Sequence, residues 1–204
     1  WDVDFAFWCS YKYLNGGPGS SAFIYVNQRH FDKEAGLQGW FGYVKEKQFN
    51  MSLKFEQAPS AGGWQMSSPG ILGAAGIEGG LRVMLEAGIT NIREKSMRMT
   101  NYIIYLIDQL LSDSPYNIEI KTPRNPSKRS GHIALVRKKD AGRINKALLA
   151  SGIIPDFRPP NIIRIAPIAL YNTYLEVWAF VQTLKKIIDT QSYLEYSNQR
   201  FLIS

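Results

Sequence analysis

Cysteine and histidine are scarce in this sequence. Its 204 residues contain one cysteine, Cys9, and two histidines, His30 and His132. One cysteine excludes a disulfide within the chain and any zinc or iron–sulfur site built from several cysteines, and two histidines exclude a metal held by three of them. We therefore expect no metal in the chain. Because there is no disulfide framework, we expect a reducing compartment and place the protein in the cytoplasm.

A long hydrophobic run is also missing. The longest apolar stretch, residues 162–170, is interrupted by Arg164 and Pro167, whereas a membrane helix needs roughly 20 apolar residues. We expect no membrane-spanning segment. The chain starts with Trp1 and an apolar, strand-like sequence instead of a basic leader, so we expect it to begin within a fold.

Acidic residues are fewer than basic ones. There are 17 Asp and Glu against 24 Lys and Arg, a net charge of +7. The basic residues between 121 and 139, a segment without an acid, are Lys121, Arg124, Lys128, Arg129, Arg137, Lys138 and Lys139. Such a run could bind a polyanion, but its clusters flank a predicted strand, where charge typically guards a solvated edge. We favour the second interpretation and expect no nucleic-acid partner.

The composition is otherwise that of a globular protein, with 45% hydrophobic residues. Residues 3–9 are typical of an interior strand covered on both faces, residues 15–21 of a glycine-rich loop, and residues 22–26 of a second strand. The segment Gly17–Ala22 matches the G-x-G-x-x-A dinucleotide pattern, but a strand follows it where that pattern needs a helix. Residues 30–68 show little periodicity and are predicted to form loops.

A helix is predicted from Ser68, as its N-cap, and Pro69, at its first position, to about Ala87. Three of its glycines share one face. They are Gly73, Gly76 and Gly80. Because each glycine costs a helix roughly 1 kcal/mol, something must pack closely against that face. A backbone or a cofactor could do so, but we favour tight packing against another helix.

Short strands alternate with helices in the rest of the chain. The predicted elements are a helix over about 91–111, strands at 117–120, 132–136, 153–154 and 162–165, and helices over about 141–150 and 174–189. This alternation indicates a compact α/β unit. We therefore divide the chain into residues 1–88 and residues 89–204, the second part holding a connecting helix and a small α/β domain.

Two groups of residues could carry acid–base or covalent chemistry. Asp2 and Asp4 share a face of the first strand, as paired carboxylates for acid–base catalysis do, but we favour a local ion pair there. Lys12 follows that strand directly and lies between two tyrosines. Partial burial would lower its pKa and favour the neutral amine, which forms a Schiff base with an aldehyde cofactor. The alternative is a surface lysine whose stem packs on the sheet.

Four segments, in the same order, resemble blocks of the kynureninase family. They are residues 10–19 (SYKYLNGGPG), 37–42 (LQGWFG), 63–69 (GWQMSSP) and 163–172 (IRIAPIALYN). The family consists of pyridoxal 5'-phosphate (PLP) enzymes of the α/β, aspartate aminotransferase-like fold (PLP-dependent fold type I). The resemblance implies that residues 1–88 are the C-terminal part of the PLP-binding large domain and residues 89–204 its connecting helix and small domain.

The resemblance also implies roles for individual residues. Lys12 would hold the cofactor covalently and later move protons at the substrate. Tyr11, Trp40 and Ser68 would hydrogen-bond the cofactor phosphate, Trp40 and Ser68 from the neighbouring subunit of a homodimer with shared sites. Tyr11 would also be catalytic, as an aid to proton transfer. Ser68 departs from the Asn or Thr that is more frequent there, although a hydroxyl still suits an anion. Arg164 would bind the substrate α-carboxylate with its planar fork.

The implied reaction is hydrolysis of L-kynurenine to anthranilate and L-alanine in tryptophan catabolism and NAD biosynthesis, with 3-hydroxykynurenine as an alternative substrate. In the family, the aspartate that pairs with the cofactor ring nitrogen lies upstream of the segment that begins at Trp1. We therefore expect a C-terminal half that is inactive alone. The alternatives are another fold type I enzyme, such as a cysteine desulfurase or aminotransferase relative, and a basic, non-enzymatic interaction domain.

Overall fold

The computed structural model describes residues 1–199. By the contacts between its residues the chain divides into two compact units, Trp1–Glu86 and a second unit from Ala87 onward. Each unit is described by itself. None of the helices in the described part of the chain is both long and apolar enough to cross a membrane.

The first unit opens with an antiparallel hairpin. Strand β1 (Phe5–Cys9) pairs with strand β2 (Ala22–Val26) in a register that places Phe5 opposite Val26, so the predicted second strand is confirmed. The first strand was expected to be covered on both faces, but Phe7 is 87% exposed. The expectation is wrong for this chain because β1 and β2 form a sheet of only two strands.

Short 3-10 turns follow the hairpin, in agreement with the predicted loop region. Their bounds are Gln28–His30, Trp40–Gly42, Lys45–Asn50 and Ala61–Trp64. Helix α1 (Ile71–Ala87) begins later than expected. Its first hydrogen bond runs from the Ala74 N–H to the Gly70 carbonyl, so Gly70, and not Ser68, precedes the first helical residue.

The second unit begins with helix α2 (Ile89–Leu110), which follows Gly88 at φ 77°. A positive φ suits glycine and interrupts the helical conformation between α1 and α2. A four-stranded antiparallel sheet follows, with strand order β3-β4-β6-β5. Its strands are β3 (Glu119–Ile120), β4 (Ile133–Val136), β5 (Asp156–Arg158) and β6 (Ile162–Ile165).

Two further helices complete this unit at the predicted bounds, α3 (Ala141–Ala150) and α4 (Tyr174–Asp189). Helix α4 starts with a capping box, in which Thr173 and Glu176 exchange hydrogen bonds. The side chains buried between helices and sheet include Met99, Ile103, Ile107, Ile133, Leu135, Ile144, Leu148, Val181 and Leu184. These apolar residues recur at helical spacing on α2 and at alternate positions on β4, as the periodicity predicts.

The strand predicted at residues 153–154 is not formed. The Ile153 N–H bonds to the Leu148 carbonyl and closes the end of α3, with Gly152 at φ 78°. Pro155 has no N–H for a sheet. The strand therefore starts at Asp156, three residues later than predicted.

Candidate active site

Ser10 stabilises the loop that carries Lys12, residues 10–21, which we call the lysine loop. This serine is fully buried; its hydroxyl donates to the Ser21 carbonyl and accepts from the Ser20 hydroxyl, which lies 2.7 Å away. Its carbonyl accepts from the Gly16 N–H at 2.9 Å. Both ends of the loop are therefore tied to one residue, which lies two positions before Lys12.

The glycine face of α1 packs against the backbone of the lysine loop. A Cβ on Gly76 would lie 2.9 Å from the Gly16 carbonyl oxygen, and one on Gly80 would lie closer still to the carbonyl oxygen of Leu14. Real Cβ atoms essentially never approach other atoms to within 3.0 Å. The expected packing of this face against another helix is therefore wrong, and the close neighbour is the backbone of the lysine loop.

Lys12 and Tyr11 lie together at the surface of the first unit. The Lys12 Nζ is 5.3 Å from the centre of the Tyr11 ring. Both side chains are exposed, so the burial expected around the Lys12 amine is not found in this chain. Neither polar end forms a hydrogen bond within residues 1–199, which leaves the amine and the phenol available to a ligand.

The structure brings the segments of Trp40 and Ser68 together. Gly39, just before Trp40, packs so closely on the Met66 backbone that a Cβ would not fit, and Ser68 follows Met66 by two residues. Trp40 contacts Phe49 edge-on at 5.4 Å and is 49% exposed. Ser68 is also exposed. Two of the predicted phosphate donors thus lie on segments in backbone contact.

Arg164 lies on β6 in the second unit. The register places it between Ala134 of β4 and Asp156 of β5, and its Nη2 bonds the Asp156 carboxylate. The side chain is 39% exposed. Asp156 was not predicted as a site residue, because the register that sets it opposite Arg164 cannot be deduced from the sequence alone.

His132 is a second residue near Arg164 that was not predicted as a site residue. Burial, and then the positive charge of Arg164, hold the pKa of His132 below its usual value. Its Nδ1 lies 3.0 Å from the Ser130 hydroxyl. The imidazole next to Arg164 is therefore biased toward its neutral form.

Asp2 and Asp4 precede β1 and do not share a strand face, but they form the expected local ion pair. Arg29 contacts Asp2 and Asp4 at 2.7 Å each, and the His30 Nε2 lies 2.6 Å from Asp4. The hydrogen bond with His30, and then that with Arg29, lower the pKa of Asp4. A carboxylate held ionised in this way is a poor general acid.

Several basic residues between 121 and 139 form ion pairs or hydrogen bonds within the second unit. Arg124 makes two hydrogen bonds to Asp108, at 2.6 and 2.8 Å, and Lys121 pairs with Glu119. Arg129 is buried and donates to the Asn101 side chain and to carbonyl groups of neighbouring residues. These contacts favour a structural role for the segment over a polyanion-binding surface.

Comparison with known proteins supports the resemblance to the kynureninase family. A family model described as the kynureninase C-terminal domain matches residues 92–184. The chain is 49% identical over all its 204 residues to a kynureninase of Geobacillus thermodenitrificans, and 48% identical to one of Bacillus cereus. The chain is similar to kynureninases along its whole length. It spans 47% of the length of each of these two relatives.

Solved structures confirm the fold class. The apo structure of a cysteine desulfurase from Thermococcus onnurineus matches 92% of this chain and 48% of its own, with a TM-score of 0.72 and 18% identity. An alanine–glyoxylate aminotransferase from Nostoc matches 92% of this chain and 48% of its own, with a TM-score of 0.59 and 12% identity. This chain therefore has the expected α/β architecture of fold type I enzymes.

Proposed function

We propose that this chain supplies the cofactor lysine and the carboxylate-binding arginine of a PLP-dependent kynureninase, which hydrolyses L-kynurenine to anthranilate and L-alanine. The observation that carries the proposal is the 49% identity to a kynureninase along the whole chain. The alternative, a cysteine desulfurase or aminotransferase activity, is supported only by structural neighbours at 12–18% identity, and such similarity concerns the fold. The reaction belongs to tryptophan catabolism and NAD biosynthesis, in the cytoplasm.

The donor groups of the first unit fit PLP chemically. Lys12 offers an amine for the aldehyde, and Tyr11, Trp40 and Ser68 offer neutral N–H and O–H donors for the phosphate, each without a hydrogen-bond partner in residues 1–199. When bound, PLP supplies an electron sink for the bond changes at the substrate. We assign these four residues to the cofactor on that chemistry and on the family resemblance.

Lys12 holds the cofactor and then moves a proton at the substrate Cα. Both tasks need its amine at a fixed distance from the reacting atom, because proton transfer requires hydrogen-bond reach. The buried Ser10 and the glycine face of α1 fix the loop from two sides. Tyr11, whose ring contacts the Lys12 amine, donates its hydroxyl to the phosphate.

Arg164 binds the substrate α-carboxylate. A guanidinium presents several N–H donors in a planar fork and can bind a carboxylate through two of them. Because Arg164 is held on a strand in the middle of a sheet, its position is rigid, and its exposed part is accessible to a small amino acid. This contact orients the substrate for cleavage.

The active unit is a homodimer in which Trp40 and Ser68 reach the cofactor of the partner subunit. The exposure of both residues supports this assignment, since donors to another subunit's ligand must lie at the surface. Light scattering of this chain joined to the N-terminal half of the Geobacillus thermodenitrificans kynureninase should give the mass of two such polypeptides, and a monomer with full activity would contradict the shared site.

The cofactor assignment is tested on the chain itself. PLP is added, the adduct is reduced with borohydride, and the modified lysine is found by peptide mass spectrometry. We expect modification at Lys12 and its loss in Lys12→Arg, with Lys33→Arg as the matched control. Modification spread over many lysines would contradict a built site.

The activity is tested after joining the chain to the N-terminal half of the Geobacillus thermodenitrificans kynureninase. We expect this chimera to hydrolyse kynurenine and not to release sulfur from cysteine. The 204-residue chain alone should not turn over kynurenine, because the resemblance places the partner of the cofactor ring nitrogen outside it. Turnover by the isolated chain would refute that expectation.

A further inference from the structure

Arg164 and Asp156 face each other across two regular strands. They are directly opposed in the antiparallel register of β5 and β6, a relation that places Cβ atoms about 4.5–5.5 Å apart on the same face of a sheet. The Arg164 Nη2 donates to the Asp156 Oδ2. The backbone of the sheet therefore sets the geometry of this pair.

Arg158 also binds Asp156, through the same carboxylate oxygen as Arg164. It lies two residues further along β5 and hence on the same face. Its Nε and its Nη2 are both 2.9 Å from the Asp156 Oδ2. Asp156 is thus anchored by a residue of its own strand.

Arg164, in contrast, uses a single nitrogen in its contact with Asp156. Within residues 1–199, its Nη1 and Nε have no other hydrogen-bond partner. The rest of its fork is available to a ligand, while Nη2 is fixed.

The charges of this cluster do not balance. Two guanidinium groups share one carboxylate, and the three side chains are 39%, 54% and 42% exposed for Arg164, Arg158 and Asp156. The cluster therefore has a net charge of +1, next to the Nη1 and Nε of Arg164. A second carboxylate, brought by the substrate, would complete the cluster.

We propose that Asp156 is the positioning residue of the carboxylate-binding site. It fixes Arg164 through Nη2, leaves the remaining donors for the α-carboxylate of an amino-acid substrate, and is itself held by Arg158. The proposal rests on the proposed function, which gives Arg164 its ligand. It assigns to Asp156 an effect on substrate binding and none on the bond-breaking step.

The chimera with the N-terminal half of the Geobacillus relative tests the proposal. We expect Asp156→Asn to raise KM for kynurenine roughly tenfold, as the loss of a charge-assisted hydrogen bond predicts, with kcat within about twofold. The inhibition constant of kynuramine, the analogue that lacks the α-carboxylate, should not change. Asp189→Asn is the matched control, since Asp189 also has two partners, Lys185 and Tyr116.

Two results would overturn the role of Asp156. One is an unchanged KM, and the other is an equal loss of affinity for kynurenine and kynuramine, which a merely structural role would produce. Arg164→Ala tests separately whether Arg164 binds the substrate carboxylate at all, as the proposed function requires. If Arg164→Ala leaves KM unchanged, the carboxylate assignment itself is wrong.

A measurement on the 204-residue chain does not depend on activity. The side-chain N–H signals of Arg164, followed by NMR, should show hindered rotation of the guanidinium in the parent chain and in Asp189→Asn. Rotation should become free in Asp156→Asn. Equal rotation in parent and Asp156→Asn would contradict the positioning role whatever the chimera does.

Discussion

Ser10 shows how one buried hydroxyl can determine a loop. Its hydroxyl is hydrogen-bonded to Ser20 and Ser21, and its carbonyl accepts from the Gly16 N–H. An unsatisfied buried polar group costs about 1–3 kcal/mol, so removal of this hydroxyl also penalises the partner groups that remain. The loop that carries Lys12 therefore depends on a residue that does not touch the substrate.

Ser10→Ala should loosen the lysine loop. We expect the Gly16 N–H, which donates to the Ser10 carbonyl, to lose protection against hydrogen exchange by roughly tenfold or more, the equivalent of about 1–3 kcal/mol. Ser52→Ala removes an exposed hydroxyl with one local contact and serves as control. Equal protection of Gly16 in both variants would show that the loop is held by α1 alone.

His132 should make stability depend on pH. Its pKa in the folded protein is lowered by burial and by Arg164 from a usual value of 6.5, so below that pH the unfolded chain binds more protons than the folded one. Stability is therefore expected to fall as pH drops from about 6.5 toward the folded pKa. His132→Asn should reduce this fall in urea unfolding between pH 8 and pH 5.

The matched variant for that experiment is Lys128→Asn, which removes an exposed positive charge from the same region. It should shift the unfolding free energy without changing its slope between pH 5 and 8. If His132→Asn and the parent lose the same stability between pH 8 and pH 5, groups other than His132 cause the loss at low pH.

At the scale of single elements, α1 offers two adjacent glycines with opposite surroundings. A Cβ on Gly80 would strike the Leu14 carbonyl, whereas a Cβ on Gly79 would meet nothing within 4 Å. Gly80→Ala should therefore destabilise the first unit by about 1–3 kcal/mol through overpacking. Gly79→Ala should be neutral or stabilising by about 0.5–1 kcal/mol, since alanine favours a helix.

The measurement is urea unfolding of both variants together with PLP labelling of Lys12. We expect Gly80→Ala to lower both the unfolding midpoint and the specificity of labelling, and Gly79→Ala to lower neither. A stable, normally labelled Gly80→Ala variant would mean that the loop can shift away from α1 without loss.

Elements with complete local signals were predicted well from the sequence. Helices α3 and α4 and strand β6 have the expected bounds, because periodicity and end signals agree there. The strand predicted at residues 153–154 is not formed because the Ile153 N–H closes the turn after α3 by bonding to Leu148, a local contact that a short apolar pair does not indicate. The glycine face of α1 was identified, but its partner was not, because glycine spacing indicates close approach without indicating what approaches.

The candidate site divides in the same way. Lys12, Tyr11, Trp40, Ser68 and Arg164 could be named because each lies in a linear segment that resembles the family. Asp156 and His132 could not, because their proximity to Arg164 follows from strand pairing and tertiary packing. The predicted roles of the five residues stay predictions until the labelling and kinetic experiments are done.

At the scale of the whole molecule, burial is unequal between the two units. The main hydrophobic cluster, from Met99 to Tyr193, lies wholly in the second unit. The first unit buries few large apolar side chains and exposes aromatic residues of its hairpin, including Phe7, Trp8 and Tyr25. Because burial of apolar surface is the main stabilising contribution to folding, the second unit holds most of the stability of the chain.

Residues 87–204 should therefore fold as a cooperative unit without the rest of the chain, whereas residues 1–86 should not. We expect the isolated second unit to show a single urea transition with a free energy of unfolding of at least about 5 kcal/mol. The isolated first unit should show a broad, shallow transition and bind a hydrophobic dye. The matched comparison is the 204-residue chain, in which a mutation in the core of the second unit, such as Ile103→Ala, should move the main transition to lower urea concentration, because it costs about 2–5 kcal/mol. A sharp transition in residues 1–86 would show that the hairpin, its turns and α1 are stable with their aromatic residues exposed, and that the lysine loop needs no further support to keep its geometry.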